Sequence, residues 1–265
     1  MRRWLIPLSS LLLLSACGGS PTPLPVDAGI TDTPAPTAEP APVRYALAPN
    51  TRGYVPQLAT LQEGAQVQEL QIIPDDPAPG PNYDIIVSYG AAPDWTPVEP
   101  PLSVTLIIMP LADARLADVV TISIDPQALA DALAMTGVQP LATNAADPVA
   151  VRNTLANLGY PDGFGLTIGH AFVPGVEPLA AQLAAAGIDS RIVPLEPDDL
   201  RAALVAGDVQ VGLFTWANPA QREEWTSTLP DALAQDLYTL PISYRASDAV
   251  FVTISPAGWP LAARP

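Results

Sequence analysis

The sequence predicts an α/β fold built from mostly parallel sheets flanked by helices, and three observations carry that expectation. Between residues 147 and 216, apolar strand-type runs alternate with helical patterns at the spacing of right-handed crossovers. Four dipeptides (Asp125-Pro126, Asp147-Pro148, Glu196-Pro197 and Asn218-Pro219) each stand directly before a helical pattern. A polar acceptor at the cap can take a backbone N–H, and proline lacks the donor that would be orphaned at the first helical position. Residues 83–89 and 102–109 are continuous apolar runs, the pattern of strands covered on both faces.

The elements follow in chain order. Arg2 and Arg3 make a short positive head, and residues 5–14 form an apolar run interrupted by Pro7, Ser9 and Ser10. About ten such residues fall short of the roughly twenty that span a bilayer as a helix, and the layout is that of a secretory signal peptide over 1–16. Leu14-Ser15-Ala16-Cys17, followed by Gly18-Gly19-Ser20, resembles the bacterial lipobox. That resemblance implies cleavage before Cys17 and a lipid on its thiol; the alternative is an ordinary secretion signal with a chance cysteine. Residues 17–42 form a proline-rich tether without apolar periodicity, biased toward extended polyproline II.

Structure is expected from Val43. Strands are predicted at 43–48, 67–73, 83–89 and 102–109, with a turn at 50–53 and a short helix over 54–62 stopped by Gly64. In the second half, helices are predicted after each acceptor–proline pair and over 176–186. Strands are predicted at 166–171, 188–195 and 209–216. Gly137, Gly159 and Gly207 stand where a left-handed residue closes a helix. No period of twenty to fifty residues repeats, which excludes a solenoid.

Composition narrows the function. The chain has one cysteine, so no intramolecular disulfide can form. Removing residues 1–16 leaves nine arginines against 27 acidic side chains, a formal charge of −18. Such a surface repels phosphate backbones and anionic lipid, so nucleic acid is not an expected partner and membrane contact falls to the anchor. There is no lysine, which excludes Schiff-base chemistry and a phosphate-loop lysine. No Gly-x-Ser-x-Gly elbow or His-Glu-x-x-His pair occurs, so an enzyme is not expected. Asp198-Asp199 and Glu223-Glu224 fall in the opening part of predicted helices, where acids complement the helix dipole.

The helix opened by Asp147-Pro148, running through Leu155-Ala156-Asn157-Leu158-Gly159 into Tyr160-Pro161-Asp162-Gly163-Phe164, resembles a segment of extracellular solute-binding proteins of family 5. These are the peptide- and nickel-type receptors of ABC importers. The likeness continues through Leu179–Leu183, Ala186-Gly187-Ile188, Ala206–Val209, Leu213-Phe214-Thr215-Trp216, Leu240–Tyr244 and Gly258-Trp259. Ile122–Leu129 is similar to the family's entry into its second lobe, and coverage is good from about 120 to 265. The resemblance implies the two-lobe periplasmic-binding-protein type II fold. Lobe 1 would comprise 43–119 and 237–265, lobe 2 residues 120–236, with a ligand closed between them. A monomer without cofactor or metal is expected, and the lipobox resemblance implies the outer face of a membrane (extracellular or periplasmic). Its partners would be a small solute and an ABC permease. Two departures stand out. Lobe 1 is short, and Trp216 is followed by Ala217-Asn218-Pro219, without the aspartate that peptide receptors carry three positions after this tryptophan.

Ligands of open α/β sheets sit outside the carboxyl ends of strands. That rule nominates Asn50, Arg52, Tyr89, Trp95, His170, Trp216 and Asn218, with Tyr244 on the returning strand. Trp216 reads either as an aromatic wall beside a helix N-terminus or as a core tryptophan. Arg52 reads as a partner for a ligand carboxylate or as a surface arginine among many acids. Trp95 is a lid or packs its loop down. His170, the only histidine, has no second soft ligand near it in sequence and reads more simply as a satisfied polar residue.

Overall fold

A computed structural model describes residues 41–47, 65–69, 82–91, 93–256 and 258–265. Its strands and helices are β1 (Arg44–Leu47), β2 (Gln66–Glu69), β3 (Ile85–Tyr89), β4 (Thr96–Ile108), α1 (Arg115–Ile122), α2 (Pro126–Leu133), β5 (Gln139–Pro140), α3 (Pro148–Asn157), β6 (Phe164–His170), α4 (Val176–Ala185), β7 (Ile188–Pro194), α5 (Pro197–Ala206), β8 (Val211–Trp216), α6 (Pro219–Thr226), β9 (Leu233–Ala246), β10 (Phe251–Ile254) and β11 (Pro260–Ala263). The predicted signal segment, Cys17, the predicted tether as far as residue 40, and the predicted turn and helix at 50–62 lie outside the described residues.

Every acceptor–proline pair opens a helix. Asp125 accepts from the Ala128 N–H at 2.9 Å, Asp147 from those of Val149 and Ala150, and Asn218 from that of Ala220. Glu196 holds the same position without a side-chain cap bond, as its extra methylene predicts. Gly207 closes α5 with φ +80°. The helix from Pro126 stops earlier than expected: Ala134, at φ 50°, takes the left-handed position in place of Gly137.

The main sheet runs β2-β1-β3-β9-β4-β8-β6-β7, with β5 joined to β9, while β10 and β11 make a separate hairpin. The expectation of mostly parallel sheets holds on both flanks, where β1 pairs in parallel with β2 and β3, and β6 with β7 and β8. The middle is antiparallel, because β4 and β9 form one long ribbon that each flank joins from the side. Strand β4 begins at Thr96, six residues before the apolar run. Its early part carries Pro97, Pro100 and Pro101, which read as loop residues but are tolerated because, among the described residues, only β9 pairs with that stretch.

Two cores lie on the two sheet faces. The larger joins Leu102, Val104 and Leu106 of β4 to Leu116 and Val120 of α1, Leu129 of α2, Leu155 of α3, and Leu179 and Leu183 of α4. The smaller sets Ile107, Val209 and Phe214 under Leu200 and Leu204 of α5, both essentially solvent-free. Burying each such leucine contributes about 1.5–3 kcal/mol. Helix α5 approaches this closely because Gly169 and Gly212 floor its seat; a methyl on Gly212 would lie 2.9 Å from Leu204.

The C-terminus is tied back by one carboxylate. Asp84, 3% exposed, accepts from the Arg44 N–H at 2.8 Å and from Arg264 Nη2 at 2.9 Å on both oxygens. Burial pushes this carboxyl up, but the Arg44 N–H and the two guanidinium groups outweigh it and hold it below the usual carboxylate range. Tyr45 works alongside, its hydroxyl accepting from the Ala262 N–H at 2.7 Å. Burial pushes that phenol up to about 12.

Candidate functional site

The register of the ribbon decides where carboxyl ends of strands meet. Tyr89, the last residue of β3, lies opposite Ile242 of β9. Trp216, the last residue of β8, lies opposite Ser103 of β4, which in turn lies opposite Thr239 of β9. The two strand ends therefore stand three residues apart along β9, about 10 Å at the rise of a strand. They point toward each other from opposite sides of the ribbon. The carboxyl ends of β1 and β3 on one flank, and of β6, β7 and β8 on the other, share one waist, the position where α/β sheets take ligands.

Side chains at the waist divide between the faces. Directly paired residues share a face, and positions 239 and 242 differ by an odd number, so Trp216 and Tyr89 lie on opposite faces. Trp216 turns to the smaller core. Its ring stacks on Phe214 at 5.6 Å and meets Trp225 of α6 edge-on at 5.4 Å. The Trp216 indole N–H is buried, with no acceptor among the described residues. Trp225 also takes the Arg201 guanidinium 5.8 Å from its ring centroid. Helix α6 buries no residue fully and is fastened by Trp225 and by Arg222 paired to Asp236. Burial pushes the Asp236 carboxyl up, but Arg222 and the Thr105 hydroxyl hold it down. Asn218 spends its side chain on capping α6.

The other face is more crowded. Tyr89 is 9% exposed and tilts against Trp259 at 6.1 Å, and burial raises its phenol. Tyr238 is likewise raised by burial and donates its hydroxyl to the Pro174 carbonyl. The chain leaving β3 is bonded across the waist: the Gly90 N–H to Pro241 O, the Ala91 N–H to Thr136 O at 2.7 Å, and the Ser243 hydroxyl to Gly90 O at 2.7 Å. Gly258 seats against Ala217, and a methyl there would lie 2.6 Å from the Ala217 Cβ.

Of the remaining nominees, Tyr244 is half-buried against the larger core and Trp95 is half-buried just before β4. His170 ends β6, half-buried and edge-on to Phe172 at 6.1 Å, with Nδ1 buried and, among the described residues, without a partner rather than satisfied. Burial lowers its pKa, against the Glu177 carboxylate. Asn50 and Arg52 lie outside the described residues. The waist thus gathers Tyr89, Trp216, Asn218 and His170 at or just after strand ends without bringing them to one surface, while Trp95 precedes β4 and Tyr244 lies within β9 opposite Val87. Sequence reasoning missed Tyr238, Trp225 and Trp259. Arg222 and Trp225, one helical turn apart, were the readable signal for α6.

Among the described residues, no group of three or more His, Cys, Asp or Glu is placed to hold a metal ion, and no helix is long and apolar enough to cross a membrane. Away from the waist, Gly165, Thr167, Asp189, Arg191 and Gln210 line a wide, open depression of about 430 Å³ at the β6–β7 edge.

Solved structures resemble this chain in fold. The peptide-bound OppA of Listeria monocytogenes superposes with a TM-score of 0.50 and 11% identity over 66% of this chain and 52% of that one. The fold is that of a periplasmic binding protein. A periplasmic oligopeptide-binding protein of Borrelia burgdorferi gives 0.48 at 11% identity, covering 68% of this chain and 54% of its own. A substrate binding protein of Microbacterium hydrocarbonoxydans, complexed with 4-hydroxybenzoate hydrazide, gives 0.46 at 14%, covering 69% and 55%. The chain spans about half the length of the binding proteins it matches. No family model and no curated protein matches the sequence.

Proposed function

We propose that this chain is an extracytoplasmic solute-binding protein, anchored by a lipid on Cys17, that hands a small solute to an ABC permease. The observation that supports this most is the waist, where the carboxyl ends of two oppositely directed strand sets meet across the β4–β9 ribbon. In this reading lobe 1 (43–119 and 237–265) and lobe 2 (120–236) turn about that ribbon. Trp216, Asn218 and His170 offer contacts from one side, and Tyr89, Trp95 and Tyr244 from the other, with Asn50 and Arg52 added from the segment after β1. The unpartnered Trp216 N–H and His170 Nδ1 are the polar atoms a solute would satisfy.

The test is a thermal-shift screen against amino acids, dipeptides, sugars and divalent metal ions. A ligand at a hundred times its Kd stabilises by about 2.7 kcal/mol, or about 5–11 °C in a domain of this size. A shift confined to one class, and abolished by Trp216→Ala or His170→Ala, supports the receptor reading. No shift in any class at millimolar concentration refutes it. Incorporation of labelled palmitate into the chain but not into Cys17→Ser tests the anchor separately.

One observation favours a second reading. The Tyr89–Trp259 contact, Gly258 against Ala217 and the Ala91–Thr136 bond fill one face of the waist with the chain's own residues. A lipoprotein that kept the scaffold and lost transport, serving as an interaction or envelope protein, has that property, and a blank screen favours it.

A further inference from the structure

Among the described residues, strand β7 is the last strand of the main sheet and pairs with β6 alone. At its centre runs Ile188-Asp189-Ser190-Arg191-Ile192. Asp189 and Arg191 are exposed on one face, where with Gly165 and Thr167 they border the open depression described above. No ion-pair partner is found for either among the described residues. Ile188 and Ile192 lie on the opposite face, in or against the larger core.

The backbone fixes which groups face outward. The Phe164 N–H bonds to Gly187 O and the Leu195 N–H to His170 O, so odd-numbered residues of this stretch bond inward to β6. In a parallel ladder the alternate residues turn both backbone groups the other way. Ile188, Ser190 and Ile192 therefore present theirs to the open edge. Pro194, without an N–H, ends that set.

We propose that β7 is a self-association edge at which two copies of this chain pair antiparallel about a two-fold axis through Ser190. In that register Ser190 faces Ser190 of the second copy, and Ile188 faces Ile192. All are outward-bonding residues, giving about six interchain backbone bonds. Asp189 then faces Arg191 of the other copy, twice, at the closely spaced non-hydrogen-bonded positions where cross-strand charge pairs interact best. The five-residue run is complementary to itself only in this direction. An in-register parallel approach sets Asp189 on Asp189 and Arg191 on Arg191, which repel. The charges that guard the edge against indiscriminate strand addition thus select one partner.

The full chain expressed in cells, carrying Ser190→Cys, tests this. Opposed hydrogen-bonded residues sit about 5.5 Å apart between Cα atoms, within disulfide reach. Mild oxidation should give a covalent dimer well above the wild-type background and above Asp208→Cys, a control at an exposed position between α5 and β8. Adding Asp189→Arg or Arg191→Asp should cut the dimer about tenfold by replacing attractive pairs with like charges. The double exchange D189R/R191D should restore it. Dimer no greater than for Asp208→Cys, or a double exchange as weak as either single change, overturns the proposal. Sedimentation of the unmodified full chain in detergent guards against a misfolded cysteine variant: a monomer–dimer equilibrium supports the pairing, and a monomer at every concentration overturns it.

Discussion

Replacing Asp84 by alanine removes the acceptor that joins β1, β3 and the C-terminus. The carboxylate is 5% exposed as a side chain, so the Arg44 N–H that it accepts at 2.8 Å loses its partner in a place water reaches poorly. An orphaned buried donor costs about 1–3 kcal/mol. The guanidinium groups of Arg44 and Arg264 are 36% and 31% exposed, so solvent screens them and each ion pair is worth about 0.5–1 kcal/mol. The loss totals about 2–5 kcal/mol, or about 4–20 °C in Tm for a domain of this size. Asp84→Asn keeps an acceptor for the Arg44 N–H and should lose only about 1–2 kcal/mol. The carboxyl is held below its ordinary range in the fold. Its stabilisation is therefore complete above the unfolded carboxylate range and is lost as pH falls through the depressed folded value. Melts of wild type and Asp84→Ala followed by circular dichroism should differ most at neutral pH and converge in acid. An alanine variant melting within a degree of wild type at pH 7 would refute the role of Asp84 as the hub.

Three further outcomes are expected. Gly163→Ala should destabilise by about 2–4 kcal/mol, because a methyl at φ +81° overlaps the Gly187 carbonyl oxygen; a denaturant midpoint unchanged from wild type would contradict this. Asp147→Ala should lose about 1 kcal/mol by uncapping α3, while Glu196→Ala, whose side chain caps nothing, should lose little by this route; equal losses would remove capping as the cause. Thr105→Val should cost about 1–3 kcal/mol, since its fully buried hydroxyl donates to Asp236 at 2.6 Å, and urea titration of the pair Thr105→Val and Thr105→Ser reads the hydroxyl apart from the methyl.

What was legible in the sequence was local. The acceptor–proline starts needed only the chemistry of one helical turn, and all four opened helices, with glutamate the one that makes no cap bond. Helix α1 was not read because Ala114 stands at its cap position, and Asp113, whose carboxylate accepts the Arg115 N–H, is not followed by proline. The prolines of β4 suggested a loop because their tolerance depends on a missing neighbour, a fact of sheet order rather than of sequence. Gly163 stood in the most specific part of the family resemblance, and the Gly187 carbonyl beside it gives that position its reason. Trp216 and Tyr89 were placed correctly at strand ends. Their separation onto opposite faces follows from the register of β4 and β9, which no local pattern encodes.

The same ribbon has a mechanical consequence. Between Val98 and Leu102 β4 advances four residues while β9 advances two, and β8 has not yet joined. Strand β4 is held less closely there while β9 stays bonded to β3, so strain between the two strands of the ribbon falls first on residues 99–101. The crease is set in advance in one strand of the ribbon, while the other runs through unbroken.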